Sequence, residues 1–234
     1  MSSVSYNRGT MTITVEGLDD VSTALGSLKS KTPTAVKVAI NATAREARKL
    51  MIAKAKARYA VNAAGMRHLK DLKPRQRATN TSLSAELYIS SLRNDLGYFK
   101  TNPPYPTHFT GKAWRQGPDV WKGKVLKNSS MKSLPGEGNK AKAFLAEFKS
   151  GHVGMVQRVV GSSSGHTVTK SGAPRWRNRR GNVEKLVTLG SPSAAAMHRT
   201  IWMDVEPDVE LFLLNRLEQQ VQTVLARAAA RRTP

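Results

Sequence analysis

The sequence predicts an α+β fold: two long helices packed on a mostly antiparallel sheet, with long basic loops. Apolar residues recur at helical spacing over about residues 34–59 and again over about 207–231. Between these stretches, LSAELYISS at 83–91 and AFLAEFKSGHVGMVQRVVG at 143–161 show strand-length apolar patterns bounded by turn residues. The stretches at about 60–82, 97–120 and 161–182 are polar, basic and rich in Gly, Pro or Ser, the composition of extended loops. Length alone allows one large domain or two small ones, GSSSGHTVTKSG reads as a linker, and no repeat of fixed period occurs; a single domain over 1–234 is expected.

TITV at 12–15 alternates as a strand, and after Gly17 the segment LDDVSTALGSL takes helical spacing through Leu18, Val21, Leu25 and Leu28, with Asp19 or Asp20 as a cap. Pro33 suits a first helical turn, and a long helix follows. Val36, Ile40, Ala47 and Met51 form its packing stripe, with abundant Ala implying close approach to a neighbour. A short helix near Met66–Leu72 is expected inside the first basic loop. Leu83, Ala85, Leu87 and Ile89 mark one side of a strand. The four prolines between 97 and 120 indicate an extended loop with a task of its own.

WKGKVL at 121–126 returns to alternation. Phe144–Phe148 and Val153–Val160 read as a hairpin joined at Lys149–Gly151, with Phe144 and Phe148 as packing residues. VEKLVTLGSPSAAAMH reads as a strand and then a small-residue turn. The second long helix is expected from about Pro207 to Arg231, packing through Phe212, Leu213, Leu217 and Val221. Asp204, Glu206, Asp208 and Glu210 then suit its positive N-terminal end; a docking patch for a basic partner is the other reading of these acids.

The chain carries 38 Lys and Arg against 16 Asp and Glu, a net charge of +22, which speaks of polyanionic or acidic partners and not of fold. The absence of Cys excludes disulfides, thiolate catalysis and Cys-bound metal. No apolar run approaches the roughly 20 residues that span a bilayer, and MSSVSYNRGT lacks the pattern of a secretory leader, so a soluble, non-secreted protein with no membrane partner is expected. The five histidines fall at 68, 108, 152, 166 and 198 with no metal-ligand spacing, and read as surface or turn residues. GSSSGHTVTKSG lacks the spacing of a phosphate loop, and no Gly-x-Ser-x-Gly turn occurs. No catalytic residue, cofactor or metal site is therefore nominated, and a non-enzymatic protein is expected.

The basic segments are the candidate contacts for nucleic acid or an acidic partner. NATAREARKLMIAKAKARYAV at 41–61 holds six Lys or Arg and one acid, with Arg45, Arg48 and Lys49 at its centre. Its charge is either a solvated helix face or a contact surface. In PRWRNRRGN, Arg175, Trp176, Arg177, Arg179 and Arg180 have the composition of a segment that neutralises phosphates and stacks an aromatic ring, with protein docking as the rival reading.

In order, TITVEGLDDV, AINATAREARKLMIAKAKARYAV, LSAELYISS, AFLAEFKSGHVGMVQRV and TLGSPSAAAMH together resemble the minor tail protein Z family of tailed bacteriophages and prophages, over nearly the whole chain. The extended basic segment 161–182 departs from the family pattern. The resemblance implies a structural virion protein of the tail or neck, a homo-oligomeric tail-completion protein at the head-proximal end that assists head-tail joining and positions the genome end in the channel. It implies a ring of identical copies, tail-terminator, tail-tube or neck proteins as neighbours, and residence in the host cytoplasm during assembly. Double-stranded DNA in the channel is a further candidate partner. A nucleic-acid-binding module acting outside the virion is the alternative reading of the charge.

Overall fold

The computed structural model describes residues 2–15, 18–106, 118–148, 150–163, 177, 180–181 and 183–231. Arg175, Trp176 and Arg179, with most of the expected loop 161–182 and residues 107–117 of the expected loop 97–120, lie outside the described residues. Contacts gather into two compact units: Met1–Ala57, His68–Leu92 and Ser193–Pro234 form the first, and Arg58–Arg67 with Arg93–Pro192 the second. Two of the crossings fall at the end of one helix and inside the next, which is why no linker composition marks the division.

The first unit opens with a hairpin of β1 (Ser2–Asn7) and β2 (Thr10–Val15), paired from Ser2↔Val15 to Asn7↔Thr10. Arg8 and Gly9 turn it with φ of 45° and 89°, the double positive φ that matches the twist of a tight hairpin. Only β2 is legible in the sequence here, because the serine-rich β1 offers few apolar residues to alternate. After α1 (Leu18–Leu25) and a 3-10 turn at Gly26–Lys31 comes α2 (Thr32–Arg58), close to the expected limits. Val36, Ile40, Ala47 and Met51 are fully buried, as the stripe predicts. Each of the larger three contributes about 1.5–3 kcal/mol by leaving water.

Within the expected loop 60–82 the short helix anticipated near Met66–Leu72 is α3 (Ala63–Lys70), and a strand that was not anticipated, β3 (Lys73–Gln76), follows it. The helix starts earlier than its apolar residues suggest because the Asn62 side chain accepts from the Gly65 amide, capping the first turn. β4 (Ser84–Tyr88) pairs with both β2 and β3, giving an antiparallel sheet in the order β1-β2-β4-β3. Met11, Ile13, Ala85 and Leu87 are its buried residues on the two central strands.

In the second unit, β5 (Asn94–Asp95), β6 (Lys100–Asn102), β7 (Lys122–Lys124), β8 (Lys132–Ser133), β9 (Phe144–Glu147), β10 (Val153–Arg158), β11 (Leu186–Thr188) and β12 (Gly190–Ser191) form three small sheets, ordered β11-β10-β9, β12-β5 and β6-β7-β8. The predicted hairpin is β9–β10, in register from Val153↔Glu147 to Val156↔Phe144. Its inward residue on β9 is Leu145, which joins Trp121, Ala143 and Met155 in a buried cluster. Phe144 is only partly buried, with the Arg158 guanidinium 5.2 Å from its ring centre, and Phe148 stacks on His152. Phe144 still packs against that cluster from its rim, while Leu145, on the alternate face of the strand, takes the fully buried position.

The chain returns to the first unit as α4 (Ala194–Ala230), 37 residues long. Its start corrects the expectation: the helix begins well before Pro207, with Ser193 Oγ accepting from the Ala196 amide as its cap. AAAMH is a strong helix former, and this outweighs the turn signal of the preceding Ser-Pro. Pro207 sits in the helix interior, and the carbonyl it leaves without its usual donor belongs to the exposed Met203. Leu213, Leu217 and Val221 are buried as expected, while Phe212 is half-buried. α4 runs against β1, α1 and the 3-10 turn, with the Tyr6 hydroxyl donating to Ala195 O at 2.8 Å and its ring stacked on Trp202.

The chain is thus a mixed α and antiparallel β protein, but its strands divide among four sheets and do not form the single expected one. His198 also departs from expectation. It is fully buried, with Nε2 3.0 Å from Leu69 O, so the ring carries its proton on Nε2 and donates there. Burial lowers its pKa from the usual histidine range, opposed by the Leu69 carbonyl. The unfolded chain therefore takes up a proton near pH 6.5 while the folded one does not. Stability is expected to be level above about pH 7 and to fall as the pH drops through 6.5, by up to about 1.4 kcal/mol per pH unit, until the folded pKa is reached. Urea unfolding at pH 8, 6.5 and 5.5 measures this slope, and His198→Gln, which keeps a donor, should remove it.

Candidate anion-binding cleft

Two turns of α2 place the buried Ala44, the half-buried Asn41 and the exposed Arg45 and Arg48 on one face of the helix. This face borders a cleft of about 240 Å³ whose other wall is Pro74, Gln76 and Arg77, from β3 and the residue after it, with Ala85 and Leu87 of β4. A register shift between Pro74 and Gln76 bends the edge strand beside it. The cleft thus pairs an apolar lining with three guanidinium groups.

Asn41 and Arg48 have structural duties at its two ends. Asn41 Nδ2 donates to Ala78 O at 3.0 Å and its Oδ1 accepts from Ala78 N at 3.1 Å, tying down the chain after β3. Arg48 donates through Nε to Leu72 O at 2.7 Å and through a terminal nitrogen to Lys70 O at 3.2 Å, satisfying carbonyls at the end of α3. Arg45 and Arg77 are exposed and make no hydrogen bond or ion pair among the described residues. Two uncompensated cations on one concave surface favour an anion by Coulomb attraction, strengthened by the planar fork that each guanidinium offers a carboxylate or phosphate.

Of the residues nominated on α2, Arg45 faces this cleft freely and Arg48 faces it while capping α3. Lys49 instead pairs with Glu46 at 3.1 Å. In the second unit, Arg177 and Arg180 are exposed, and Arg177 donates to Gly181 O at 3.3 Å. Arg77 was not singled out from the sequence, where it lies in the run PRQR that reads as loop; only the pairing of β3 with β4 brings it beside α2.

A second arrangement escaped the sequence altogether. Asp95 is buried, and its Oδ1 accepts from Gly97 N at 2.7 Å and Met155 N at 2.8 Å, while Oδ2 lies 3.0 Å from His152 Nε2. The imidazole is held between the Phe148 and Tyr98 rings, with centroids 5.7 and 5.1 Å away. Fifty-seven residues separate the pair. The carboxylate is consumed by two amides and one imidazole, so it locks β5 to the β9–β10 hairpin. Burial, with Asp95 as a lesser cause, raises the Tyr98 phenol above its ordinary range.

Among the described residues no helix is long and apolar enough to cross a membrane. Comparison with protein-family models, with characterised proteins and with solved structures finds no match.

Proposed function

We propose that this chain is a structural tail-completion protein of a phage or prophage virion, working as a ring-like homo-oligomer at the head-proximal end of the tail. The reading rests on one observation, the order of sequence segments that resembles the minor tail protein Z family: TITVEGLDDV, AINATAREARKLMIAKAKARYAV, AFLAEFKSGHVGMVQRV and TLGSPSAAAMH. In this reading the two long helices and the four-stranded sheet make the part that packs in the assembly. The exposed basic surfaces face tail-terminator, tube or neck proteins and the DNA in the channel. The protein assists head-tail joining and the seating of the genome end, assembles in the host cytoplasm, and performs no catalysis.

The test is genetic. Particles made without this chain should accumulate separate heads and tails, and supplying it should restore joining; tails that attach and inject normally in its absence overturn the reading.

A net charge of +22 and the exposed Arg177 and Arg180 favour one alternative, a nucleic-acid-binding module acting outside the virion. Changing Arg175, Arg177, Arg179 and Arg180 together to Gln tests phosphate contact directly. If all four neutralise phosphates, the slope of log K against log salt for a DNA duplex becomes shallower by about 3–4. An unchanged slope removes the segment from DNA contact in either reading.

A further inference from the structure

The four acids of α4 at 204–210 were expected at a helix start, where the backbone would use them. The observed helix begins at Ala194, so they stand well inside it and the helix terminus does not account for them. Asp204, Glu206, Asp208 and Glu210, with Glu218 further on, make no ion pair among the described residues, in a chain with 38 basic residues. Beside them the same helix exposes large apolar side chains: Met203 at 79%, Leu211 at 59% and Leu214 at 54%. An exposed face that is both apolar and acidic, on a strongly basic protein, is a surface made for a partner.

The cleft between α2 and β3 has the complementary character. Its lining of Pro74, Ala85 and Leu87 is apolar, and Arg45 and Arg77 supply free guanidinium groups. α4 contacts β1, at one edge of the sheet ordered β1-β2-β4-β3, and the cleft is bounded by β3, at the other edge. Among the described residues the acids of α4 and the guanidinium groups of Arg45 and Arg77 make no ion pair with each other, so the surfaces of one copy leave each other's charge unmet.

We propose that the acidic, apolar face of α4, carrying Met203, Asp208, Glu210, Leu211 and Leu214, docks into the Arg45–Arg77 cleft of a second copy of this chain. The contact joins unlike surfaces head to tail. Such contacts close into rings when the rotation permits. Carboxylates meet guanidinium groups with charge-assisted hydrogen bonds, and the leucines cover the apolar lining between them. This deepens the assembly reading by naming the interface, and assigns the cleft to protein carboxylates, leaving DNA to other basic residues.

The experiment uses the full-length chain and two double variants at exposed positions, Arg45→Glu with Arg77→Glu and Leu211→Asp with Leu214→Asp. Mass is measured by size-exclusion chromatography with light scattering at low salt. Wild type is expected to run above monomer mass, and each variant alone as a folded monomer with an unchanged circular dichroism spectrum. Mixed together, the variants retain one intact α4 face and one intact cleft between them, and should form a one-to-one dimer that grows no further. A wild-type monomer, a variant that assembles as wild type does, or a mixture that stays monomeric overturns the proposal. Binding to a DNA duplex is measured in parallel. Loss of duplex affinity in the arginine variant with assembly intact would make the cleft a phosphate site and overturn it equally. Head-tail joining in the genetic test is scored separately, so a failed interface leaves the tail-completion reading standing, and a failed joining assay leaves the interface standing.

Discussion

Asp95→Ala is expected to destabilise the second unit by roughly 3–5 kcal/mol. The side chain is buried, and its removal leaves the Gly97 and Met155 amides without their acceptor, each orphaned donor costing about 1–3 kcal/mol. The loss of the His152 contact and of close packing around the missing carboxylate adds to this. Asp95→Asn keeps an acceptor for the two amides and should cost clearly less. Hydrogen exchange is the direct measurement: protection at the Gly97 and Met155 amides should collapse in the alanine variant and persist in the asparagine one. Equal protection in both would show that the carboxylate does not hold this junction. Crowding around the site supports the same ranking, since a Cβ built on Gly154 would run into Asp95 Oδ2 and one on Gly97 would come within 2.6 Å of Val153 O.

Gly9→Ala is the second large effect, about 2–4 kcal/mol in the first unit. At φ +89° an alanine is strained by about 1–3 kcal/mol, and its Cβ would stand 2.5 Å from Ile89 O and 3.1 Å from Ala195 Cβ. The first obstacle is backbone, which cannot rotate aside as a side chain can. The same residue's carbonyl accepts from Ile89 N at 2.8 Å, so displacement of the turn also breaks a bond between the hairpin and the chain leaving β4. The neighbouring Arg8, at φ 45°, provides the contrast. Arg8→Gly relieves a left-handed conformation and should change stability by less than about 1 kcal/mol. Chemical denaturation of both variants distinguishes local strain at Gly9 from a general sensitivity of the turn.

Periodicity was informative where an element buries one continuous stripe. α2 was legible because Val36, Ile40, Ala47 and Met51 recur at its turns, and the β9–β10 hairpin because a Gly-containing turn separates two apolar runs. The limits of α4 were not, since Ser193 and the alanines after it have the composition of a small-residue turn, and Pro207 offered a plausible first turn further along. β1 and β3 were missed because their stability comes from pairing with β2 and β4 and not from their own side chains. The candidate cleft was half legible. Charge density pointed to Arg45 and Arg48, but nothing local distinguishes an arginine that caps a neighbouring helix from one left free.

The amino-acid sequence by itself determined the mixed helical and antiparallel class, the basic character, the absence of thiol chemistry and the buried stripe of α2, because each depends on composition or on spacing within one element. Tertiary structure decided which arginines share a cleft, that Asp95 meets His152, that His198 is buried, and that the acids of α4 stand on an exposed helix face instead of at its start. These depend on which distant strands pair and where a helix begins. Such choices are made by the sum of many weak, long-range contacts, and no short window of residues contains that sum.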